Sequence, residues 1–343
     1  MNKLGLSLNL MPSFYHKHLG TNYGEGYYFD PGYRSEIEKQ EQLFLYEILG
    51  KYGEGSKQPI PSTDLMIQPV DLVMATQGAR VVCPEDATLE TWGNPWSGLS
   101  VEEIERIDPQ EAAHHPVIDR IISQYHEMEK MYGNKADIFG IKAGNMSIHA
   151  PYTTAHQLCG EELFCKMLDN PAEIRIILMK IWQIYRTIFG RLREILNAPV
   201  PHQLNMGDCS ACMLPQDLYH DLVLPVNCEI TNGFQEVKYH SCGGSTHLLN
   251  DFAGIPKLKI IELGPGTDFS EGVKLMPGAE MRPLVDPVPV RNNSSEQVTE
   301  LMEYIISAIS SAPQTLICAW SLDRETPIVN LEAICSTVNK HQS

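Results

Sequence analysis

The chain has 343 residues, 43% of them hydrophobic and 20% charged, which provides enough apolar material for one large domain or two ordinary ones. The formal net charge of −17 argues against nucleic acid as a partner, because a phosphate backbone is bound by a basic face. No apolar run approaches the roughly 18 residues that a membrane span requires, so we expect no membrane partner either.

Residues 1–11 contain one lysine and a short apolar stretch, which could be mistaken for a secretion signal. Ser7 and Asn9 interrupt the apolar run, and no small-residue cleavage site follows it. The nine cysteines are odd in number and spread along the chain, which is not the pattern of a disulfide framework. We therefore expect a cytoplasmic protein.

Residues 1–60 are predicted to be an N-terminal extension, because they are rich in tyrosine, glycine and charged residues. The aromatic residues could form a lid over a pocket, or they could pack against the body of the protein. A helix is expected to begin near Ser35. The clustered aromatic residues are Tyr23, Tyr27, Tyr28, Phe29 and Tyr33.

The following region, up to about residue 135, is predicted to contain short and irregular elements. Short strands are expected at 81–83 and 90–93. Ser100 and Glu103 have the spacing of a capping box, in which the two side chains bond each other's backbone N–H groups. A helix is therefore expected to follow Ser100.

From residue 136 onward, predicted strands and helices alternate. Helices are expected after Asn170, after Pro215 and after Ser294, where Gln297 completes a second capping box. This alternation predicts βα units and a parallel sheet. No glycine-rich phosphate loop follows a first strand, so we favour an α/β fold of the (β/α)8 TIM-barrel type at 61–343 over a doubly wound sheet. The strands are expected at 137–143, before 207, and at 237–241, 258–263 and 314–318.

His240 and Cys242 lie two residues apart, in a segment that is predicted to be a strand ending on Gly243 and Gly244. Side chains two apart on a strand face the same way, so the imidazole and the thiol can meet at one point. An imidazole nitrogen and a thiolate form half of a zinc coordination sphere. The sequence thus predicts part of a zinc site at this strand end.

Further reactive residues occur at the ends of other predicted strands. Asp208, Glu262 and Cys318 are such residues, and the carboxyl ends of barrel strands form the rim where active sites gather. We expect these side chains to surround the same pocket as His240.

Several rim segments together resemble the uroporphyrinogen decarboxylase superfamily over roughly residues 135–340. The chain departs from the decarboxylases themselves, because it lacks the N-terminal arginine-containing segment with which they bind their substrate's carboxylates. It is more similar to the zinc-dependent corrinoid methyltransferases of this superfamily, such as methylcobamide:coenzyme M methyltransferases. The segments are 152–155 (YTTA), 215–225 (PQDLYHDLVLP), 240–244 (HSCGG), 285–287 (VDP) and 318–327 (CAWSLDRETP), the last with about two extra residues before its Thr-Pro.

This resemblance implies a TIM barrel and a zinc site made of His240, Cys242 and Cys318. Three protein ligands leave one tetrahedral position open, which is the form of a catalytic zinc site. Zinc there would bind a substrate thiol and lower its pKa, or act as a Lewis acid on a methyl donor. The resemblance further implies a corrinoid (methylcobamide) on a separate corrinoid-binding protein, since the chain has no cobalamin-binding histidine motif.

Glu262 and Asp208 are the other candidate site residues. Glu262 could be a fourth ligand or a group that orients His240, or it could be a solvated carboxylate at a strand end. Asp208 could polarise a substrate or fix a ligand, or it could cap the helix that follows Pro215.

A rival metal site uses the C-x2-C pair Cys209 and Cys212. Together with His240 and Cys242, this pair would give a closed structural site with four ligands, and Cys318 would then have no role. Either cysteine could also simply line the pocket.

Three histidines near predicted strand ends, His149, His156 and His202, could face the cavity or could simply pack. Trp320 could form a wall of the pocket or belong to the core.

We expect a zinc-dependent methyltransferase that moves a methyl group between a corrinoid protein and a small methylated substrate or a thiol or pterin acceptor. The tyrosine-rich N-terminus raises the idea of O-demethylation of an aromatic methyl ether. The alternatives are a metal-independent decarboxylase, whose activity would survive chelators, and a barrel that binds metal or a corrinoid protein without catalysis.

Overall fold

In the residues that the computed structural model describes, 3–64 and 67–342, seven parallel strands form one curled sheet and two antiparallel strands form a small one. The order in the large sheet brings the N-terminal strand beside the C-terminal one: β1-β9-β8-β7-β6-β5-β4. In chain order the strands are β1 (Lys3–Leu10), β2 (Arg80–Val82), β3 (Glu90–Trp92), β4 (Asn145–His149), β5 (Gln203–Gly207), β6 (Glu236–Ser241), β7 (Leu258–Leu263), β8 (Glu280–Pro283) and β9 (Gln314–Leu322), of which β2 and β3 form the small sheet.

Helices connect consecutive strands of the large sheet, which is the arrangement of a (β/α)8-type barrel and confirms the predicted fold class. A π-helical segment, Tyr219–Val223, joins α11 to α12. The helices are α1 (Pro12–Leu19), α2 (Glu25–Phe29), α3 (Pro31–Leu49), α4 (Pro69–Thr76), α5 (Val101–Arg106), α6 (Pro109–Ala113), α7 (Pro116–Tyr132), α8 (Pro151–Cys159), α9 (Glu162–Asp169), α10 (Pro171–Leu196), α11 (Gln216–Leu218), α12 (Leu224–Thr231), α13 (Leu249–Ala253), α14 (Phe269–Leu275), α15 (Pro287–Asn292), α16 (Ser295–Ala308) and α17 (Ile328–Gln342).

Local sequence signals account for where several helices begin. Ser100 caps α5 and Ser294 caps α16, and both predicted capping boxes have their two reciprocal hydrogen bonds. Among the described helices, we find none with the length and hydropathy that a transmembrane span requires.

The predicted strand at 137–143 is wrong. Ile141–Ala143 is a single 3-10 turn, and strand β4 begins only at Asn145. Gly140 and Gly144 flank this turn with φ of 69° and 81°, a left-handed backbone that ends an extended run and that glycine adopts without steric cost. The apolar residues of 137–143 therefore pack in a loop that leads into the sheet.

The N-terminal region takes part in the barrel. Residues 3–10, which we assigned to the extension, form β1, and β1 pairs with β9 in parallel. Tyr23, Tyr27 and Tyr28 are buried in the hydrophobic core, which agrees with the interpretation that these rings pack against the body. The domain boundary at residue 60 and a lid role for part of this region stay predictions.

The strands β4 to β8 have one polar and one apolar face. Register pairs His149 with Gly207, Gly207 with His240, His240 with Glu262, and Glu262 with Arg282, so these side chains share one face of the sheet. The alternate residues are buried and apolar, and they meet the helices: Leu263 and Met281 approach α14, and Tyr239 packs on Phe252 of α13. The polar face borders the cavity of the barrel.

Candidate metal centre

Three side chains at the ends of β5 and β6 converge on one point. Among the described residues, Cys209, His240 and Cys242 form a group whose ligand atoms all lie within 4.8 Å of one another. His240 Nε2 is 2.8 Å from Cys242 Sγ, and the sulfur atoms of Cys209 and Cys242 lie 2.8 Å apart, within hydrogen-bonding distance. The group thus joins two of the residues predicted as ligands, His240 and Cys242, with one cysteine of the rival C-x2-C pair.

Glycine allows the loop around Cys242 to pack closely. A Cβ atom on Gly264, just after β7, would collide with the backbone carbonyl of Cys242. A Cβ atom on Gly243 would lie 2.5 Å from the Cys212 sulfur. The small residues next to these strand ends are therefore needed for the approach of the cysteine-bearing loops.

Glu262 fixes the orientation of the His240 ring. His240 Nδ1 donates to Glu262 Oε2 at 3.0 Å, which leaves Nε2 on the side of the two cysteines. Glu262 is only 2% exposed, and its other oxygen accepts hydrogen bonds from Lys238 at 2.7 Å and Arg282 at 3.3 Å. Burial alone would raise the pKa of Glu262, but the hydrogen bond from His240 and the charge of Lys238 lower that pKa below the ordinary value, so the carboxylate is ionised.

The protonation of the group follows from its internal hydrogen bonds. The thiol of Cys209 and the imidazole of His240 both stabilise a thiolate on Cys242, so its pKa falls to about 5. Burial lowers the pKa of His240, but Cys242 and Glu262 outweigh burial and raise that pKa to about 9. The pKa of Cys209 is raised, first because it donates to Cys242 and then because it is buried. At neutral pH the metal-free group is thus a thiolate between an imidazolium and a thiol.

Asp208 lies beneath the group and away from the cavity. It is fully buried, and its carboxylate accepts hydrogen bonds from Tyr239 at 2.7 Å, Thr153 at 2.8 Å and Asn227 at 3.2 Å. Its backbone N–H donates to the carbonyl of His240 at 2.7 Å. This geometry favours a role in anchoring the end of β5 next to β6 over contact with a substrate, and α11 begins after Pro215 without Asp208 as its cap.

The other two candidate cysteines lie outside the group of three. Cys318 is fully buried and its thiol donates to the carbonyl of Leu316 at 3.6 Å, while burial and then the charge of Glu262 raise its pKa to about 12. Cys212 donates to the carbonyl of Cys209 at 3.4 Å. Cys318 as a ligand therefore stays a prediction, and the structure brings together three of the four residues of the rival site.

The group opens into a cavity of about 520 Å³ at the carboxyl ends of the strands. Trp320 forms one wall: its ring stacks on His240 with centroids 6.2 Å apart, and its indole N–H donates to Ser7 at 2.9 Å. Other lining residues include His149, Ser147, Asn205, Lys238 and Ser321. Sequence reasoning missed Lys238 and Arg282 as partners of Glu262. Lys238 lies two residues before His240 on the same strand, so strand periodicity could have identified it.

The donor set fits a zinc ion. One imidazole nitrogen and two sulfurs, one of them already favoured as a thiolate, are ligands that zinc prefers, and three protein ligands leave a position for a substrate. The Glu262–His240 hydrogen bond has the form of the carboxylate–histidine pairs that fix the ring of a metal ligand.

No protein-family profile matches the chain, and no curated protein matches it in sequence. Among solved structures, a methyltransferase from Methanosarcina mazei aligns with 100% of this chain and 95% of its own, at a TM-score of 0.67 and 12% identity. A B12-independent methionine synthase from Shewanella sp. W3-18-1, solved with selenomethionine, aligns with 99% of this chain and 98% of its own, at a TM-score of 0.49 and 9% identity. The first likeness concerns the fold alone. The chain therefore has the barrel fold of a solved methyltransferase, which is the fold that its rim motifs led us to expect.

Proposed function

We propose that the protein is a zinc-dependent methyltransferase that moves a methyl group between a corrinoid on a partner protein and a small methylated substrate or a thiol or pterin acceptor. The observation that carries this proposal is the Cys209/His240/Cys242 group, which faces a cavity of about 520 Å³ at the carboxyl end of the barrel. In TIM barrels that end holds the active site. The nine cysteines are all free, which supports a cytoplasmic location for the proposed enzyme.

Cys209, His240 and Cys242 would hold the zinc ion in this proposal. When bound, the ion supplies a Lewis acid that lowers the pKa of a substrate thiol or polarises a methyl donor. Glu262 keeps the His240 ring turned toward the two cysteines, and Asp208 holds the ends of β5 and β6 together. The walls of the cavity position the substrate so that donor and acceptor approach in line.

The third ligand distinguishes this proposal from the set that the resemblance implies. Cys209 lies 2.8 Å from Cys242, whereas Cys318 is buried and bonded to its own strand. We therefore infer that Cys209 completes the site and that Cys318 is the alternative.

Metal analysis of single variants tests both sets. We expect His240→Ala, Cys242→Ser and Cys209→Ser each to lose stoichiometric zinc, while Cys318→Ser and the exposed control Cys165→Ser keep it. Zinc lost from Cys318→Ser and kept by Cys209→Ser would support the alternative set. Zinc kept by all variants would overturn the proposed metal centre.

Methyl transfer is tested with methylcobalamin as the donor and 2-mercaptoethanol as the acceptor. The zinc-loaded protein should form cob(I)alamin and the methyl thioether, and a chelator should abolish the reaction. A zinc-loaded protein that transfers no methyl group to thiols or pterins would be the non-catalytic barrel that we named as an alternative.

A further inference from the structure

His149 ends strand β4 at the same level of the barrel as His240. Register pairs His149 with Gly207 on β5, and Gly207 with His240 on β6. Three neighbouring strands thus present an imidazole, a glycine and a second imidazole on the face that borders the cavity.

The glycine between the two rings keeps the space open. A Cβ atom on Gly207 would lie 3.6 Å from His149 Cδ2, 3.8 Å from His149 Nε2 and 3.8 Å from His240 Cδ2. Any side chain at this position would occupy the gap. Because the residue is a glycine, a small ligand beside His240 also has access to the Nε2 edge of His149.

One nitrogen of the His149 imidazole has no hydrogen bond. Nδ1 is buried and unsatisfied, whereas the Nε2 edge lies beside Gly207 at the cavity. His156, by contrast, bonds Ser210 at 3.1 Å. A ligand that hydrogen-bonds Nε2 would offset part of the cost of burying a ring whose Nδ1 is unsatisfied.

Burial favours the neutral form of the His149 ring. Burial, and then the charge of His240, lower the pKa of His149 to about 4. A neutral imidazole has one N–H donor and one lone pair, so it can hydrogen-bond a thiol or another uncharged heteroatom without adding a second cation to the site.

We propose that His149 is a substrate-binding residue of the metal centre, whose Nε2 edge hydrogen-bonds the sulfur of a small thiol held beside Cys209, His240 and Cys242. This inference rests on the proposed function and adds the residue that positions the thiol. His149 and Glu262 then have separate tasks, because Glu262 orients the metal ligand and His149 contacts the incoming group.

The test measures thiol binding by the cobalt-loaded protein. The protein is loaded with one equivalent of Co²⁺, and 2-mercaptoethanol is titrated while the visible absorption of the cobalt centre is recorded. We expect His149→Phe to bind cobalt as the wild type does but to weaken thiol binding at least tenfold. His149→Asn, which keeps a donor and an acceptor, should recover part of the affinity.

Two further variants complete the design. Gly207→Ala places a methyl group at ordinary contact distance from both rings, so it should fold normally and also weaken thiol binding. His126→Phe changes an exposed histidine on α7 and should leave the affinity unchanged.

Each outcome bears on one of the two proposals. If cobalt-loaded His149→Phe binds the thiol as tightly as the wild type does, the role of His149 is overturned and the metal centre stays intact. If His149→Phe misfolds, the same comparison is made with Gly207→Ala. A cobalt-loaded wild type that binds no thiol also overturns this role. A wild type that binds neither cobalt nor zinc overturns the proposed function itself.

Discussion

Glu262 is a buried carboxylate that three basic side chains share. His240 bonds one oxygen, and Lys238 and Arg282 bond the other. A buried carboxylate is tolerated when its oxygens accept hydrogen bonds from charged partners. Removing one member of such a buried pair leaves a charge without its partner and costs several kcal/mol of stability. The orientation of the His240 ring therefore depends on a residue that need not touch the metal.

Replacing Glu262 with glutamine should weaken zinc binding about 10- to 100-fold, the usual effect of losing the carboxylate that orients a metal-bound histidine. Competition with a chromophoric chelator measures the affinity. The matched control is Glu280→Gln, because Glu280 accepts a hydrogen bond from Arg282 at 2.7 Å, whereas the carboxylate bonded to His240 is that of Glu262. Equal affinity in both variants would show that the hydrogen bond to His240 does not matter.

The candidate site could be predicted only in part from the sequence. His240 and Cys242 share a strand, so the period of two was sufficient to pair them. Cys209 meets Cys242 because two separate loops, after β5 and β6, approach each other. Gly243 and Gly264 leave room for this close packing, which becomes visible only in the folded structure. No local pattern distinguishes such a cysteine from Cys318.

At the level of elements, local capping chemistry was predictable and strand positions were less so. The serine and glutamine of the Ser294 box bond each other's backbone over three residues, so the whole signal lies in one short segment. The strand predicted at 137–143 rested on an apolar run alone. Gly140 and Gly144 have a left-handed backbone conformation that interrupts an extended chain, so this segment forms a loop.

Replacing Ser294 with alanine should lower the free energy of unfolding by about 1 kcal/mol, because the N–H of Gln297 at the start of α16 loses its acceptor. Urea denaturation measures this change. Ser294→Asp restores an acceptor at the same position and should unfold close to the wild type. A Ser294→Ala midpoint equal to that of the wild type would contradict the role of the cap.

The N-terminal and C-terminal strands of the chain lie side by side in the large sheet. β1 pairs with β9 along its length, and α17 follows β9 directly. Deletion of residues 1–34 would remove β1 together with the aromatic residues. A lid role is therefore better tested by substitution of the partly exposed Tyr33 than by truncation.

The N-terminal region also makes stability depend on pH. Glu41 on α3 accepts a hydrogen bond from Tyr23, and burial raises the pKa of Glu41 from 4.5 to about 7. A carboxyl group whose pKa is higher in the folded state than in the unfolded state stabilises the fold fully below pH 4.5. That contribution is lost as pH rises through about 7.

We expect the melting temperature to fall between pH 6 and pH 8, and to fall less in Glu41→Gln, whose amide stays uncharged. Differential scanning calorimetry at both pH values measures the difference. The net charge of −17 also destabilises the fold at high pH through charge repulsion. The control Glu36→Gln removes one exposed charge and should behave as the wild type does, so it separates this repulsion from the titration of Glu41. Identical pH dependence in Glu41→Gln and the wild type would contradict the assignment.

Because strands β4 to β8 have one polar and one apolar face, residues that maintain the fold and residues that line the cavity can evolve separately. The barrel is stabilised mainly by packing between the sheet and the helices, where residues such as Met206, Tyr239 and Met281 are buried. The alternate positions on the same strands face the cavity and contribute little to that layer. Mutation can therefore replace lumen residues one by one and create new substrate preferences while the architecture persists, which makes this barrel a suitable starting point for laboratory evolution.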